Sequence, residues 1–253
     1  FFKKEVIFMM NPEMEKFYSM IKNSNNIVFL GGAGVSTESN IPDFRSNTGL
    51  YNMHIGNFSA EEILSSPFFF EHTKEFYEFY NDKMIYKDAK PNNAHLALAK
   101  LEELGKLKAI ITQNIDGLHQ LAGSRNVLEL HGSVLHNHCT GCGKYYSLDD
   151  IYPISDIPFC KDCGNIIKPD VTLYQEALNM SVFEKAIYYI EHTDILIVGG
   201  TSLVVYPAAS LVRYYKNNKL VLINRDETTY DSMANLIFRD SIGDVLSRIV
   251  SQL

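Results

Sequence analysis

A chain of 253 residues with 46% hydrophobic and 21% charged side chains can bury a large core, and this composition excludes a disordered protein. Twenty-three Lys and Arg against 30 Asp and Glu leave a net charge of −7. That balance argues against a nucleic-acid binder, which needs a basic surplus to neutralise phosphates.

In the N-terminal FFKKEVIFMM, Glu5 splits the apolar part and no small-residue cleavage site follows, so no secretion signal is expected and the expected location is cytoplasmic. Pro12 to Lys22 carries Met14, Phe17, Tyr18 and Ile21 at helical spacing, with Asn11 as cap and proline in the first turn. Ile27-Val28-Phe29-Leu30 then reads as a buried strand that stops at Gly31-Gly32-Ala33-Gly34. Glycines at a strand's end let the main chain come close to a ligand, so that exposed N–H groups can bind phosphate oxygens. The third glycine of G-x-G-x-x-G is missing, since Val35, Ser36 and Thr37 follow Gly34, and no acidic residue closes a second strand about 20 positions on. An ordinary dehydrogenase site is therefore disfavoured, and a ligand-free strand-to-helix turn stays open.

Leu50 to Tyr86 is rich in Phe and Tyr, and Ser65-Ser66-Pro67 caps a helix carrying Phe68, Phe69, Phe76, Tyr77 and Phe79. This aromatic stripe reads as the core of a small helical insertion. Pro91 to Leu104 is a helix ended by Gly105, and Leu107 to Thr112 is a buried strand. Gln113-Asn114-Ile115-Asp116-Gly117-Leu118-His119 follows at its carboxyl end, where open α/β sheets bind ligands, although Asn114 and Asp116 could equally cap the next helix. Val127 to Leu130 is a short strand ending at His131-Gly132; with His119, His136 and His138 nearby, the pattern alone does not select one histidine.

Cys139-x-x-Cys142 and Cys160-x-x-Cys163 use every cysteine of the chain, 17 residues apart and with glycine in each knuckle, which is the spacing of a four-cysteine zinc ribbon. The alternatives are two disulfides, which a reducing cytoplasm disfavours, and a redox dithiol, which has no need of a second matched pair. Four thiolates saturate a tetrahedral ion and leave no position for water, so the one expected zinc ion is structural. The residues between the pairs, Tyr145 to Phe159, bury too little to fold without it.

Lys168 to Tyr174 is expected to return to the main sheet. Val182 to Glu191 is a helix, and Asp194 to Val198 a buried strand running into a second glycine turn, Gly199-Gly200-Thr201-Ser202-Leu203, with a helix from Pro207 to Tyr215 behind it. The uncharged run from Ile195 to Val212 is long enough to raise a membrane span, but those glycines and Pro207 interrupt it. Two such turns favour a dinucleotide over a mononucleotide. Lys219 to Ile223 is a further strand ending at Asn224-Arg225-Asp226, and Ser241 to Gln252 a helix with Ile242, Val245, Leu246 and Ile249 on one side.

Taken in order, GAGVSTESNIPDFR, TQNIDGLH, HG, the paired CxxC, PDVTLY, GTSLVVYPAA and LIN resemble the sirtuins, the NAD-dependent protein lysine deacylases, and within them the bacterial group whose loop reads GAGxST. The resemblance extends from Gly32 to about Ile242. It implies an α/β fold: a Rossmann-like parallel-sheet domain over 11–48, 89–134 and 168–253, a helical insertion at 49–88 and a small inserted zinc-ribbon module at 135–167. It implies that Ala33, Thr37, Thr201, Ser202 and Asn224 contact the pyrophosphate and adenosine half of NAD, with the backbone near Ile242 beside the adenine. Phe44 and Arg45 would belong to a mobile cofactor loop, and Gln113, Asn114, Ile115 and Asp116 would line the nicotinamide and its ribose. His131 would be the general base, with Asn114 and Asp116 beside it in the catalytic set. Val171, Leu173 and Tyr174 would hold the substrate peptide as an added strand.

The implied partner is acetylated lysine in proteins or peptides, with no direct nucleic acid and no membrane, and the implied products are nicotinamide, free lysine and 2′-O-acetyl-ADP-ribose. Two departures stand out. Gln175 follows Tyr174 where many relatives have glycine, and Tyr77-Glu78-Phe79-Tyr80 has tyrosine in place of the arginine of the Tyr-x-x-Arg pair found in members that remove succinyl or malonyl groups. Without that cation an acidic acyl group would be buried unpaired, so an acetyl or longer apolar acyl group is expected.

Overall fold

The computed structural model describes residues 11–44, 49–52, 54–55 and 58–253; Arg45 and FFKKEVIFMM lie outside them. Helix α1 (Pro12–Lys22) begins where the Asn11 side chain accepts from the Met14 N–H and proline fills the first turn, and it buries Met14, Phe17 and Ile21. The apolar run behind it is β1 (Ile27–Gly31), buried at all five positions. A central strand covered on both faces requires an unbroken apolar run. Alternate residues serve opposite cores: Ile27 and Phe29 pack with Phe17 and Ile21 on one side, and Val28 and Leu30 with Phe183 and Ile190 on the other.

A short hairpin, β2 (His54–Ile55) and β3 (Phe58–Ser59), opens the helical insertion, followed by α2 (Ala60–Ile63), α3 (Ser66–Glu71) and α4 (Thr73–Lys83). The single helix expected for the aromatic stripe is two, because His72 at φ −130° and ψ 47° breaks the turn between them. The break lets Phe68 and Phe69 of one half face Phe76, Phe79 and Tyr80 of the other in one cluster.

Helix α5 (Asn93–Glu103), capped by the Asn92 side chain, leads into β4 (Leu107–Thr112), α6 (Leu118–Leu121) and β5 (Val127–Glu129). The cysteine module holds β6 (His136–Cys139), β7 (Tyr145–Ser147), α7 (Leu148–Ile151) and β8 (Ile167–Pro169). The chain closes with α8 (Met180–His192), β9 (Ile195–Gly199), a 3-10 helix (Ala208–Tyr214) where an ordinary helix is expected, β10 (Leu220–Ile223), β11 (Leu236–Phe238) and α9 (Ile242–Val250).

Among the described residues six strands form one sheet in the order β11-β10-β9-β1-β4-β5, every neighbouring pair parallel. Strand order departs from β1 in both directions, so the topological switch point lies between β1 and β9, where such sheets bind ligands. The three-residue edge strand β11 is not anticipated by the sequence reading. One expectation is corrected: Lys168 and Pro169 do not return to the main sheet but pair antiparallel with His138 and Asn137 in the module's own three-stranded sheet. Proline, which lacks a ladder donor, is tolerated there because β8 is an edge strand. Among the described residues no helix is long and apolar enough to cross a membrane.

Candidate functional site

Gly31 and Gly199 are register partners at the ends of β1 and β9, so the two glycine turns lie side by side. The Gly32 N–H donates to the Gly199 carbonyl at 3.2 Å and the Gly34 N–H to the Gly200 carbonyl at 2.8 Å. A Cβ on Gly34 would lie 2.7 Å from the Gly200 Cα, and one on Gly32 2.7 Å from the Thr201 Cβ. These glycines are therefore required by the approach of one turn to the other, not by a ligand, which revises the reason expected for them.

The N–H groups left over are those of Ala33, Thr201 and Ser202, which have no acceptor among the described residues. All three line a cavity of about 840 Å³ across the carboxyl ends of the central strands. Three unpaired N–H groups converging at a switch point fit an anionic pyrophosphate. Nearby, Arg239 donates to the Asn224 and Asp226 carbonyls at 3.1 and 2.8 Å. Glu38 accepts from the Ser241 hydroxyl at 2.6 Å and from the Gly243 N–H at 3.3 Å. These contacts fix Asn224 and Ile242 at one end of the cavity.

The segment after β4 is bound into both turns. The Gln113 N–H donates to the Gly31 carbonyl at 3.0 Å and its carboxamide to the Thr201 hydroxyl at 3.1 Å. Asn114 donates to the Ser36 hydroxyl at 3.0 Å, and Ser36 donates to one Asp116 carboxylate oxygen at 2.6 Å. The other oxygen accepts from the Leu118 N–H at 2.9 Å. Asp116 thus both opens α6 and joins a buried polar chain, so the capping and functional readings hold together. Ser36 was not singled out from the sequence; its position two residues past Gly34, on the first turn beyond the strand, is the signal that could have found it.

His131 lines the same cavity, and its Nδ1 lies 3.1 Å from the Gln113 carbonyl. A carbonyl only accepts, so Nδ1 carries the proton and Nε2 is left as the basic atom. Burial lowers the His131 pKa from the ordinary 6.5 and so favours the neutral ring, and the hydrogen bond to Gln113 opposes this in part. The other candidates do not line the cavity: His119 is buried with no partner among the described residues on either ring nitrogen, His136 meets Tyr145, and His138 meets Asp170. Gly132, at φ +74°, lets Asp170 sit against this loop, since a Cβ there would lie 1.8 Å from the Asp170 carbonyl oxygen. The Thr172 N–H then reaches the His131 carbonyl at 2.9 Å.

Val171, Leu173 and Tyr174 also line the cavity, and the main-chain groups of Leu173 and Tyr174 already have partners within the chain. The Tyr174 N–H donates to the Leu64 carbonyl at 2.9 Å and its carbonyl accepts from the Ser66 N–H at 3.0 Å. Leu173 is closed on Glu176 through its N–H and its carbonyl, and the Val171 carbonyl accepts from Lys168. Thr37, Phe44, Ile115, Ser202, Asn224 and Ile242 line the cavity as well; Arg45 lies outside the described residues. Tyr77 and Tyr80 do not line it: the Tyr77 hydroxyl donates to the Ile167 carbonyl, and Tyr80 is sealed in the aromatic core.

The sulfur atoms of Cys139, Cys142, Cys160 and Cys163 all lie within 4.8 Å of one another. The closest cross-pair approaches, 3.3 and 3.6 Å, are far longer than a disulfide bond. The Tyr146 hydroxyl donates to the Cys160 sulfur at 3.3 Å, the Gly141 N–H to that of Cys139 at 3.4 Å and the Asn165 amide to that of Cys163 at 3.4 Å. Donors aimed at the sulfurs suit thiolates, and four of them fit one tetrahedral zinc ion.

Residues 32–207 match the Sir2 family. An NAD-dependent protein deacetylase of Clostridium tetani is 61% identical over 236 residues, covering 92% of this chain and 96% of the relative. One of Clostridium acetobutylicum is 57% identical over 94% of this chain and 98% of the relative. Among solved structures, a Sir2 protein bound to an acetylated peptide superposes with a TM-score of 0.83 at 38% identity, covering 96% of this chain and 98% of the other. A Sir2 complex with a p53 peptide and NAD+ superposes with the same TM-score at 40% identity, with the same coverage.

Proposed function

Because the chain belongs to the Sir2 family, we propose that it acts as an NAD-dependent protein lysine deacetylase whose active site is the cavity at the carboxyl ends of the central strands. The observation that carries the reading is the convergence on that one cavity of the unpaired N–H groups of Ala33, Thr201 and Ser202 with Asn114, Asp116 and His131. NAD, when bound, supplies a glycosidic bond whose cleavage releases nicotinamide and opens a ribose carbon to the acyl oxygen of a substrate lysine.

The chain's own contribution is mainly placement. The three free N–H groups would hold the pyrophosphate, and Asn224 with the backbone of Ile242 the adenosine end. Thr37 and Gln113 would complete the cofactor contacts. With one carboxylate oxygen on Leu118 and the other on Ser36, Asp116 cannot swing, and neither can Asn114; both would orient the nicotinamide and its ribose without themselves reacting. Phe44 and Ile115 would exclude water, and Arg45 is proposed to act with Phe44. His131 would accept a proton at Nε2 from a ribose hydroxyl, the Gln113 carbonyl holding the tautomer that makes this possible.

The products proposed are nicotinamide, deacetylated lysine and 2′-O-acetyl-ADP-ribose. The partners are acetylated lysines of proteins or peptides, held beside Val171, Leu173 and Tyr174, and neither nucleic acid nor membrane. The zinc ion, held by the four cysteines, is structural. The division proposed is a sheet domain (11–48, 89–134 and 170–253), a helical insertion (49–88) and a zinc module (135–169), the module's end moved to include β8. With Tyr80 in the place of an arginine and sealed away from the cavity, a succinyl group would find no cation from that position.

Incubating acetyl-peptide with NAD, the zinc-loaded chain and its His131→Ala variant tests the reading, with nicotinamide and free lysine both followed. The parent should form both products, and the variant should lose about a hundredfold or more of turnover. The acid limb of the parent's rate should lie below pH 6.5, the ordinary histidine value from which burial lowers His131. A variant that keeps full turnover refutes the assigned base.

A further inference from the structure

Among the described residues three that are not glycine hold left-handed backbone: Asn40 at φ 61°, Leu203 at φ 54° and Gln175 at φ 70°. Two of them have evident reasons. Asn40 ends a 3-10 turn, a place where asparagine adopts this conformation readily. Leu203 is 3% exposed and its side chain fills the core beneath the second glycine turn. Gln175 has neither reason. It is exposed, it fills no core, and its side chain is too long for the local hydrogen bond that makes asparagine at home there. Strain kept at a cavity's rim is a pointer to use.

The surroundings of Gln175 are rigid. On one side the main chain of Tyr174 is held by Leu64 and Ser66. Glu176 closes back on Leu173, its N–H reaching the Leu173 carbonyl at 3.0 Å and its carboxylate accepting from the Leu173 N–H at 2.9 Å. Lys168 adds a hydrogen bond to the same carboxylate at 3.2 Å. The turn thus presents Gln175 alone: among the described residues its N–H, its carbonyl and its carboxamide all lack a hydrogen-bond partner, and it lines the cavity. Beyond Leu173 and Tyr174, whose main-chain groups are paired, it offers an entering peptide free polar groups of its own.

Resting on the deacetylase reading, we propose that Gln175 is a peptide-binding residue whose carboxamide pairs with a main-chain peptide unit flanking the acyl-lysine. A carboxamide has the same donor and acceptor types as a peptide unit, so it can accept from an N–H and donate to a C=O of an extended chain whatever the side chains. Glycine at this position, as in many proteins that the sequence resembles, relieves the backbone but offers no such group. The strained conformation is kept because the side chain is used.

The test compares the zinc-loaded parent with Gln175→Gly and Gln175→Glu on acetyl-peptides and NAD. Two ordinary hydrogen bonds correspond to about a tenfold effect. Gln175→Gly should raise the peptide KM by about that factor, with the loss confined to the peptide and the NAD KM unmoved, while its thermal midpoint is equal or higher because the strain is gone. Gln175→Glu, of nearly the same shape but lacking the N–H donors, should also raise the peptide KM while keeping the parent's midpoint. Methylating the peptide's backbone nitrogens one at a time should, at one flanking position, penalise the parent more than Gln175→Gly.

A glycine variant with the parent's peptide KM, or equal methylation penalties at every position, overturns the role of Gln175 alone. A glycine variant that loses midpoint, NAD affinity and turnover together marks the residue as structural and overturns it too. A parent that makes no free lysine from acetyl-peptide with NAD overturns the deacetylase reading, and this inference with it.

Discussion

Lowering the pH from 6.5 to 5 should destabilise this fold by roughly 2 kcal/mol through His119 alone. The ring is 1% exposed and neither nitrogen has a partner among the described residues. It packs 4.7 Å from the ring of His95 and 6.3 Å from that of Phe29. Burial first, and the neighbouring His95 second, push its pKa from 6.5 down to about 3. Below pH 6.5 the unfolded chain therefore binds a proton that the folded chain refuses. The contribution of His119 is intact above that value and is lost as the pH falls towards 3, at about 1.4 kcal/mol per pH unit. One and a half units give the stated loss. His95 adds in the same direction, since its pKa is also lowered by burial, although Asp116 and Glu38 oppose the shift. The assay is urea unfolding at both pH values for the parent and His119→Phe, which keeps a ring in the same packing but cannot titrate. The parent's loss should exceed the variant's by about 2 kcal/mol, and acid effects on the four cysteines cancel because both proteins have them. Equal losses in the two proteins would refute the reasoning. The site is coupled to this pair, because His119 follows the Leu118 N–H that anchors Asp116.

Removing zinc with a strong chelator should release one ion per chain, lower the thermal midpoint and abolish deacetylation, although none of the cysteines lines the cavity, because β8 runs straight into Asp170 and Val171; full activity in the metal-free chain would contradict this. On matched peptides, kcat/KM for acetyl should exceed that for succinyl by about a hundredfold or more, the expected effect of an unpaired buried carboxylate, and a clear succinyl preference would defeat the argument from Tyr80. Gly34→Ala places a Cβ 2.7 Å from the Gly200 Cα. It should cost about 1–3 kcal/mol of stability and weaken NAD binding measured by calorimetry, since the two turns must part; parent-like values would show that the turns tolerate separation.

The parallel strands could be read from sequence because burial on both faces demands unbroken apolar runs, as in Ile27 to Leu30, Ile195 to Val198 and Leu220 to Ile223. Leu236-Ile237-Phe238 gave no such signal: it is three residues long and becomes a strand only by pairing with Val221, Leu222 and Ile223. An edge strand does not declare which sheet it joins, and Lys168-Pro169 pairs in the module's sheet although its sequence is equally compatible with the main one. The glycines carry a subtler lesson. Their pattern says that a Cβ is forbidden without saying what forbids it, and at Gly34 the obstacle is the backbone of Gly200 rather than a phosphate. The unpaired N–H groups that suit an anion belong instead to neighbours that are not glycine, Ala33, Thr201 and Ser202.

Ser36 escaped notice because its meaning lies in Asn114 and Asp116, 78 and 80 positions away. The choice of His131 among several histidines came from resemblance alone, whereas the fold supplies a reason independent of any relative. Of His119, His131, His136 and His138, it alone lines the cavity, and it alone has one ring nitrogen held by a carbonyl at the end of β4, leaving the other as a base. A chemically ordinary side chain becomes a catalytic candidate through the acceptor that fixes its tautomer, and that acceptor is a backbone oxygen, which no residue type announces.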